Sequence, residues 1–267
     1  MKDQCCVIVG ASHAGTSLAM QLRREGWQGK IKLIGGENEL PYHRPPVSKD
    51  LLAGKKDIDQ IRLRPEKVFQ DNEIELLLGS TVTEINTKQE LVRVNDEDIN
   101  FEKLAICTGA RPRKLELGGE EDRIFYLRDH NDALRVRARI AANQRVIVIG
   151  GGYIGLESAA VLQAQGVDVI VLEREGRILQ RVTSESMSKF MSKLHQDQGV
   201  SIKTDVQIES ITTLGDVQLV HCNGGQTFSA NLSTTIDPAS NSISESEINS
   251  VLGRMPTPII KKFALNV

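Results

Sequence analysis

Two short glycine-bearing runs concentrate the chemistry of this sequence. Gly150-Gly151-Gly152-Tyr153-Ile154-Gly155 is a complete G-x-G-x-x-G, and Gly10-Ala11-Ser12-His13-Ala14-Gly15 repeats it 140 residues earlier with Ser12 in place of the middle glycine. In such a run the first glycine permits a tight turn, the second lets the backbone approach a pyrophosphate, and the third lets a helix pack closely on a strand. The N–H groups at the start of that helix carry partial positive charge toward the phosphate. Serine is the next smallest side chain that allows a close approach, so both runs keep the capacity to hold a dinucleotide. The expected contacts are Gly150, Gly152, Tyr153, Ile154 and Gly155 at one site, and Gly10, Ser12, His13, Ala14 and Gly15 at the other. A lone histidine at a helix start reads as a loop residue packing near the cofactor, so His13 is assigned no catalysis.

A carboxylate at the end of the following strand would accept hydrogen bonds from an adenosine ribose. Glu173 stands 18 residues after Gly155, and Glu37 stands 22 after Gly15. Glu173 favours NAD over NADP because it would repel a 2′-phosphate, a preference that the neighbouring Arg174 tempers. Two dinucleotide sites in one chain point to two cofactors that exchange electrons, and hydride transfer from a nicotinamide to a flavin is chemistry that needs both.

The elements that must position these groups are legible around them. Cys6-Val7-Ile8-Val9-Gly10 and Val146-Ile147-Val148-Ile149-Gly150 are β-branched runs ending in glycine, as buried parallel strands are. A helix follows each, with apolar stripes at Leu18, Ala19 and Leu22 and at Ala159, Ala160 and Leu162, and with Gly26 and Gly166 where it should stop. Second strands are expected at Ile31 to Ile34 and Val167 to Leu172, weaker ones between Ile74 and Val94, and short antiparallel strands from Gln196 to Phe228. The fold class is therefore α/β with two Rossmann-like units. From Ser233 to Ser250 the chain is rich in Ser, Thr, Asn and acidic residues, which reads as a poorly packed tail.

Composition narrows the classes. A net charge of -2 supplies no field that would gather nucleic acid or anionic lipid. The longest apolar runs are strand-sized, far short of the about 20 residues that cross a bilayer. The chain enters a strand almost at once, leaving no room for a signal peptide, and a cytoplasmic enzyme is expected. Cys5, Cys6, Cys107 and Cys222 have neither zinc-knuckle nor Cys-x-x-Cys spacing and read as structural.

Beyond the glycine runs, Pro41-Tyr42-His43-Arg44-Pro45-Pro46-Val47-Ser48-Lys49 resembles a segment of the ferredoxin reductases that serve oxygenases, the putidaredoxin, rhodocoxin and rubredoxin reductases among them. Apoptosis-inducing factor has a similar one. Thr108-Gly109-Ala110-Arg111-Pro112-Arg113, Phe125-Tyr126-Leu127-Arg128 and Gly150 through Glu157 also look like that family's motifs, in the same order. The resemblance covers residues 5 to about 232 and places the chain in the FAD-dependent pyridine nucleotide-disulfide oxidoreductase superfamily.

Carried over residue by residue, it implies that Gly10 to Gly15 cradle the FAD pyrophosphate. Lys49 would lie beside the flavin ring, with Arg44, Val82, Thr108, Gly109 and Arg128 completing the surroundings. Gly150 to Gly155 and Glu173 would bind NADH, with Glu157 near the nicotinamide. A cation near the flavin's reactive edge would stabilise negative charge on the reduced ring, which makes Lys49 a candidate catalytic residue, and Glu157, by its place near the nicotinamide, is the other candidate. A solvated surface lysine and a carboxylate favoured in a first helical turn remain the plainer alternatives for these two. No Cys-x4-Cys occurs, so electrons are expected to leave the flavin singly for a ferredoxin- or rubredoxin-type iron–sulfur protein and not through a dithiol.

Two departures from the family pattern stand out. The acidic residue usual at position 36 is Gly36, so either Glu37 takes over ribose binding or the adenosine grip loosens. After Leu232 the family's apolar strand, its Gly-x-Gly turn and its second FAD segment are missing, and the text is what a shifted reading frame would give. The expected division is an FAD-binding part over 1–110, an NAD-binding domain over 111–232 and a tail over 233–267. The competing expectation is a truncated, non-catalytic dinucleotide-binding protein that keeps NAD affinity alone.

Overall fold

The computed structural model describes residues 4–112, 114–235 and 241–242. These fall into two compact units. The first holds residues 4–43 and Ile58–Ala110, and the second holds Arg44–Asp57 and the described residues from Arg111 to 235, while the short strand Asn241–Ser242 groups with the first.

In the first unit the chain runs β1 (Cys5–Val9), α1 (His13–Arg24), β2 (Lys30–Ile34), α2 (Glu66–Asp71), β3 (Ile74–Leu77), β4 (Val82–Asn86), β5 (Leu91–Val94), β6 (Glu97–Asn100) and β7 (Lys103–Ile106). Strands β3-β2-β1-β7 form a parallel sheet, with Cys6 opposite Ile31 and Lys103, and β4-β5-β6 form an antiparallel one. Alternate residues of β1 serve two cores. Cys6 and Ile8 pack with Ala19 of α1 and Phe69 of α2, while Val7 and Val9 pack with Val92 and Val94 of β5. Burial on both faces explains why β1 reads as an unbroken apolar run.

A two-residue strand, β8 (Ala110–Arg111), precedes the second unit. There follow β9 (Ile124–Tyr126), α3 (His130–Arg139), β10 (Arg145–Ile149), α4 (Tyr153–Ala164), β11 (Asp168–Leu172), α5 (Glu185–Asp197), β12 (Ser201–Lys203), β13 (Ile208–Leu214), β14 (Val217–Cys222), β15 (Thr227–Ala230) and β16 (Leu232–Thr235). Strands β12-β11-β10-β16-β9 make a five-stranded parallel sheet, and β13-β14-β15 an antiparallel one. The two pack through Ile147, Ile149 and Leu172 on one side and Ile211, Val220, Cys222 and Ala230 on the other. Gly26 and Gly166 follow the ends of α1 and α4 with φ of 87° and 82°, the left-handed stop expected of them.

Several details differ from the sequence expectations. Gln196 and Asp197 form the last turn of α5, and β12 pairs in parallel with β11, so the antiparallel stretch begins only at Ile208. Met187, Phe190, Met191 and Leu194 follow a helical and not an alternating period. Ala160 faces solvent, and Ala159 and Leu162 alone carry the buried stripe of α4 assigned to that trio.

The ordered sheet also continues past Leu232. Ser233 and Thr234 are buried at 0% and 3% exposure in β16, between β10 and β9. Their polarity reads as tail, yet the ladder satisfies their backbone and the Thr234 hydroxyl donates to the Phe125 carbonyl at 3.5 Å. The rest of the expected tail, apart from Asn241–Ser242, lies outside the described residues.

Arg44–Asp57, read from sequence as part of the first domain, belongs to the second unit. Val47, Leu51 and Leu52 are almost fully buried, and each such side chain stabilises by roughly 1.5–3 kcal/mol. Arg137 of α3 donates to the Leu51 carbonyl at 3.5 Å. Among the described residues no helix is long and apolar enough to cross a membrane.

Candidate functional site

The second glycine run has the backbone that a phosphate cradle requires. Gly150 adopts φ 104°, a region closed to side chains, and donates its N–H to the Leu172 carbonyl at 2.8 Å, tying the turn to β11. A side chain on Gly155 would collide with the Gly150 carbonyl, so only glycine lets α4 start this close to β10. A Cβ on Gly152 would meet nothing within 4 Å, leaving space beside the loop. Gly152 is the N-cap of α4 and provides no side-chain cap, so the first turn's N–H groups suit an external acceptor. Tyr153 is 54% exposed at the first helical position, and Ile154 is half-buried beside it.

Glu173 follows β11 directly and grips this loop. Its Oε2 accepts the Gly151 N–H at 2.7 Å, and its Oε1 accepts the Glu175 N–H at 2.8 Å. A carboxylate offers about four acceptor positions, so two such bonds leave capacity for ribose hydroxyls. The Arg174 guanidinium reaches Glu175 at 2.9 Å.

Segment 44–57 brings a second group of side chains into the same unit. Pro45–Ser48 forms a 3₁₀ turn, Pro at its start supplying the required φ. Ser48, only 5% exposed, donates to Glu157 Oε2 at 2.7 Å, and the Lys49 ammonium reaches that oxygen at 2.6 Å and the Pro45 carbonyl at 3.3 Å. The Lys49 and Glu157 side chains keep 46% and 31% of their surface, so the pair is worth about 0–1 kcal/mol to stability and stays open to solvent or a ligand. Arg44 precedes this turn. Arg128 precedes α3, where a capping box of Asp129 and Asp132 fixes the backbone and the Arg128 N–H donates to Asp132 at 2.8 Å.

The first unit repeats the cradle. Gly10 has φ 116°, donates to the Ile34 carbonyl at 2.8 Å, and leaves no room for a Cβ against the Cys107 carbonyl after β7. Thr108 and Gly109 follow, both exposed, with Gly109 at φ 67°. A side chain on Gly15 would strike the Gly10 carbonyl, and Ser12 caps α1 in an extended conformation without a side-chain cap bond, with Ala14 half-buried in the first turn.

After β2 the two units diverge. Glu37 accepts the Tyr42 hydroxyl at 2.5 Å, while Gly36 is exposed with nothing nearer to its missing Cβ than Thr81 Oγ1 at 3.9 Å. Val82 is partly buried against the Val7 and Val9 core.

Thus Gly10, Ser12, His13, Ala14, Gly15, Gly36, Glu37, Val82, Thr108 and Gly109 lie in the first unit. Arg44, Lys49, Arg128, Gly150, Gly152, Tyr153, Ile154, Gly155, Glu157 and Glu173 lie in the second. Sequence reasoning missed Ser48, Tyr42 and His43 as partners of Glu157, Glu37 and His13. Their one signal is membership of the Pro41 to Lys49 motif.

The profile of the pyridine nucleotide-disulphide oxidoreductase family matches residues 4–235, almost all of the described chain. The chain belongs to that family. It is 38% identical over 234 residues to putidaredoxin reductase CamA of Pseudomonas putida, covering 85% of this chain and 56% of that protein. Among solved structures, the ferredoxin reductase for the CYP199A2 system of Rhodopseudomonas palustris superposes with a TM-score of 0.87 at 33% identity, over 96% of this chain and 63% of that one. The reductase in the covalent putidaredoxin reductase–putidaredoxin complex gives 0.83 at 36% identity, over 88% and 58%. The chain therefore spans somewhat over half the length of these relatives.

Proposed function

We propose that this chain carries the dinucleotide-binding machinery of an NADH-dependent FAD reductase that passes electrons to a small iron–sulfur protein of the ferredoxin or rubredoxin type, in the cytoplasm, where NADH is available. The observation that carries the reading is the repeated cradle. Two glycine turns of one geometry, at Gly10 and Gly150, stand in one chain of this reductase family. The residues present fit both groups, since each cradle has a positive-φ glycine turn, a helix start without a side-chain cap bond and a carboxylate after the next strand.

Bound there, the nicotinamide and the flavin would supply hydride transfer followed by release of single electrons. The protein's share is positioning. Gly150 to Gly155 hold the NADH pyrophosphate and Glu173 orients the adenosine ribose. The Glu173 carboxylate, which would repel a 2′-phosphate, favours NADH over NADPH. Gly10 to Gly15 hold the FAD pyrophosphate, with Glu37 as ribose acceptor in place of the acid usual at Gly36. Ser48 and Glu157 fix the Lys49 ammonium, which offers positive charge to the reduced flavin ring. The oxygenase systems named for the relatives suggest the setting, an oxygenase fed through the iron–sulfur carrier.

The purified chain should take up FAD on titration, show a flavin spectrum that NADH bleaches under anaerobic conditions, and reduce ferricyanide with NADH. A colourless protein that takes up no FAD and oxidises no NADH overturns this reading in favour of a nucleotide-binding protein without turnover.

A further inference from the structure

His13 and His43 lie 30 residues apart in sequence and meet in the first unit, His13 Nε2 standing 3.3 Å from His43 Nδ1. Their ring centroids are 5.3 Å apart and their planes tilted by 58°, so the rings meet through their nitrogens and do not stack. That separation is long for a hydrogen bond between nitrogens. It suits chelation better: with metal–nitrogen bonds of about 2.0–2.1 Å, a span of 3.3 Å closes an N–metal–N angle of about 104–111°, which brackets the tetrahedral value.

Both donors are carried on held backbone. His13 is the first residue of α1, and the loop bearing His43 is pinned on either side. The His43 N–H donates to the Ile61 carbonyl at 2.8 Å, and the Pro41 carbonyl accepts from Leu63 at 2.7 Å, with Tyr42 bridging to Arg62 between them. The histidines are therefore presented to each other before any ligand arrives, which lowers the ordering cost of binding. Both are exposed, so water can fill the remaining coordination positions.

We propose that His13 and His43 form a two-histidine chelate for a divalent transition-metal ion of the zinc, nickel or copper class, beside the first glycine loop. Imidazole nitrogens select these ions over calcium or magnesium, which take oxygen ligands. Among the described residues no cluster of three or more histidine, cysteine or acidic ligands exists, so this is a two-ligand site completed by water. Binding replaces the contact between the rings. The ring that holds the intervening proton shifts it to its other nitrogen, both facing lone pairs go to the metal, and no net proton is lost. The ion ties the glycine loop to the Pro41–His43 segment.

Calorimetric titration of the purified chain with Ni²⁺, and separately with Zn²⁺, tests this. One site is expected in the unaltered chain. His13→Ala and His43→Ala should each weaken it at least tenfold, and the double variant should lose little more than either single one, because a chelate fails when either arm is removed. Ni²⁺ should also raise the melting temperature of the unaltered chain and leave both variants unmoved. His221→Ala, in the other unit, should bind as the unaltered chain does, and the four cysteines stay in every variant, so thiol binding would survive in all of them. Equal affinity in the unaltered chain and the double variant overturns the site, and so does a loss confined to one of the two single variants.

Discussion

The turn after β1 and the turn after β10 share a backbone: φ 116° and 104°, and in each case a glycine N–H donated at 2.8 Å to the last carbonyl of the next strand. They differ in what the following acid does. Glu173 reaches back and accepts the Gly151 N–H at 2.7 Å, which ties the acid to the glycine loop. Glu37 turns instead to Tyr42, and the place beside the first loop is taken by Gly35, whose missing Cβ would come within 2.7 Å of the Ala11 side chain. The sheets differ too. The second has five strands with β16 buried between neighbours, whereas the first has four among the described residues, and β7 at its edge leaves Ile106 36% exposed. One motif can thus be built to the same backbone geometry with unequal support, and the cradle at Gly150 is the better supported.

The largest test of that comparison is steric. Gly155→Val and Gly15→Val each drive a side chain into the carbonyl of the run's first glycine, and each should cost at least about 2–3 kcal/mol in denaturant unfolding and abolish binding at its own site. Loss of NADH binding on Gly15→Val would show that the two cradles are not independent. Next in size, Glu173→Ala should weaken NADH about tenfold, about 1.4 kcal/mol, because it removes both the ribose acceptor and the loop's clamp. Glu37→Ala should weaken FAD by less. An equal loss would mean that the first unit leans on its acid as heavily as the second.

Acid and alkali should separate the units further. Burial, helped by Cys5 and Cys107, pushes the Cys6 thiol up to about 11. In the unfolded chain that thiol ionises first, so its contribution is intact below pH 9 and is lost as pH rises toward about 11. Burial lowers His195 in the second unit, so the unfolded chain takes up that proton first and stability falls as pH drops below the ordinary histidine range. Burial raises Cys5, Cys6 and Cys107 in the first unit and Cys222 in the second. Hydrogen exchange should therefore show both units loosening in alkali, the first more, and only the second loosening just below the ordinary histidine range, and identical profiles would break the distinction. The smallest effect belongs to Lys49 and Glu157. A double-mutant cycle with Lys49→Met and Glu157→Gln should couple by under about 1 kcal/mol in stability, while NADH-driven flavin reduction falls well beyond that. A change confined to stability would make the pair a structural ion pair.

How far the sequence could be read follows from the range of the forces involved. Gly10, Gly15, Gly150 and Gly155 announce themselves because their constraint is local: a left-handed φ or a carbonyl against the missing Cβ permits no other residue. The apolar runs of β1 and β10 are equally legible, since burial on both faces leaves polar residues no place in them. The helix at Glu185 to Asp197 is readable from the helical spacing of Met187, Phe190, Met191 and Leu194, which the alternating reading from Gln196 onward passes over. Strand β16 escapes because its Ser233 and Thr234 are polar yet buried.

What the amino-acid order determined by itself is the pair of glycine turns, the apolar strands that lead into them and the acids 22 and 18 residues after the first and second run, because those residue types can be read without knowing what packs against them. Tertiary structure alone decided the remainder. It assigned Arg44–Asp57 to the second unit, with Arg137 of α3 donating to the Leu51 carbonyl, and it brought Ser48 and Lys49 to Glu157 across more than 100 residues of chain. It also turned Glu37 toward Tyr42 and set His13 against His43. Spacing in a sequence fixes what a backbone turn can do, but which side chain receives a charge or a proton depends on surfaces that only packing brings together.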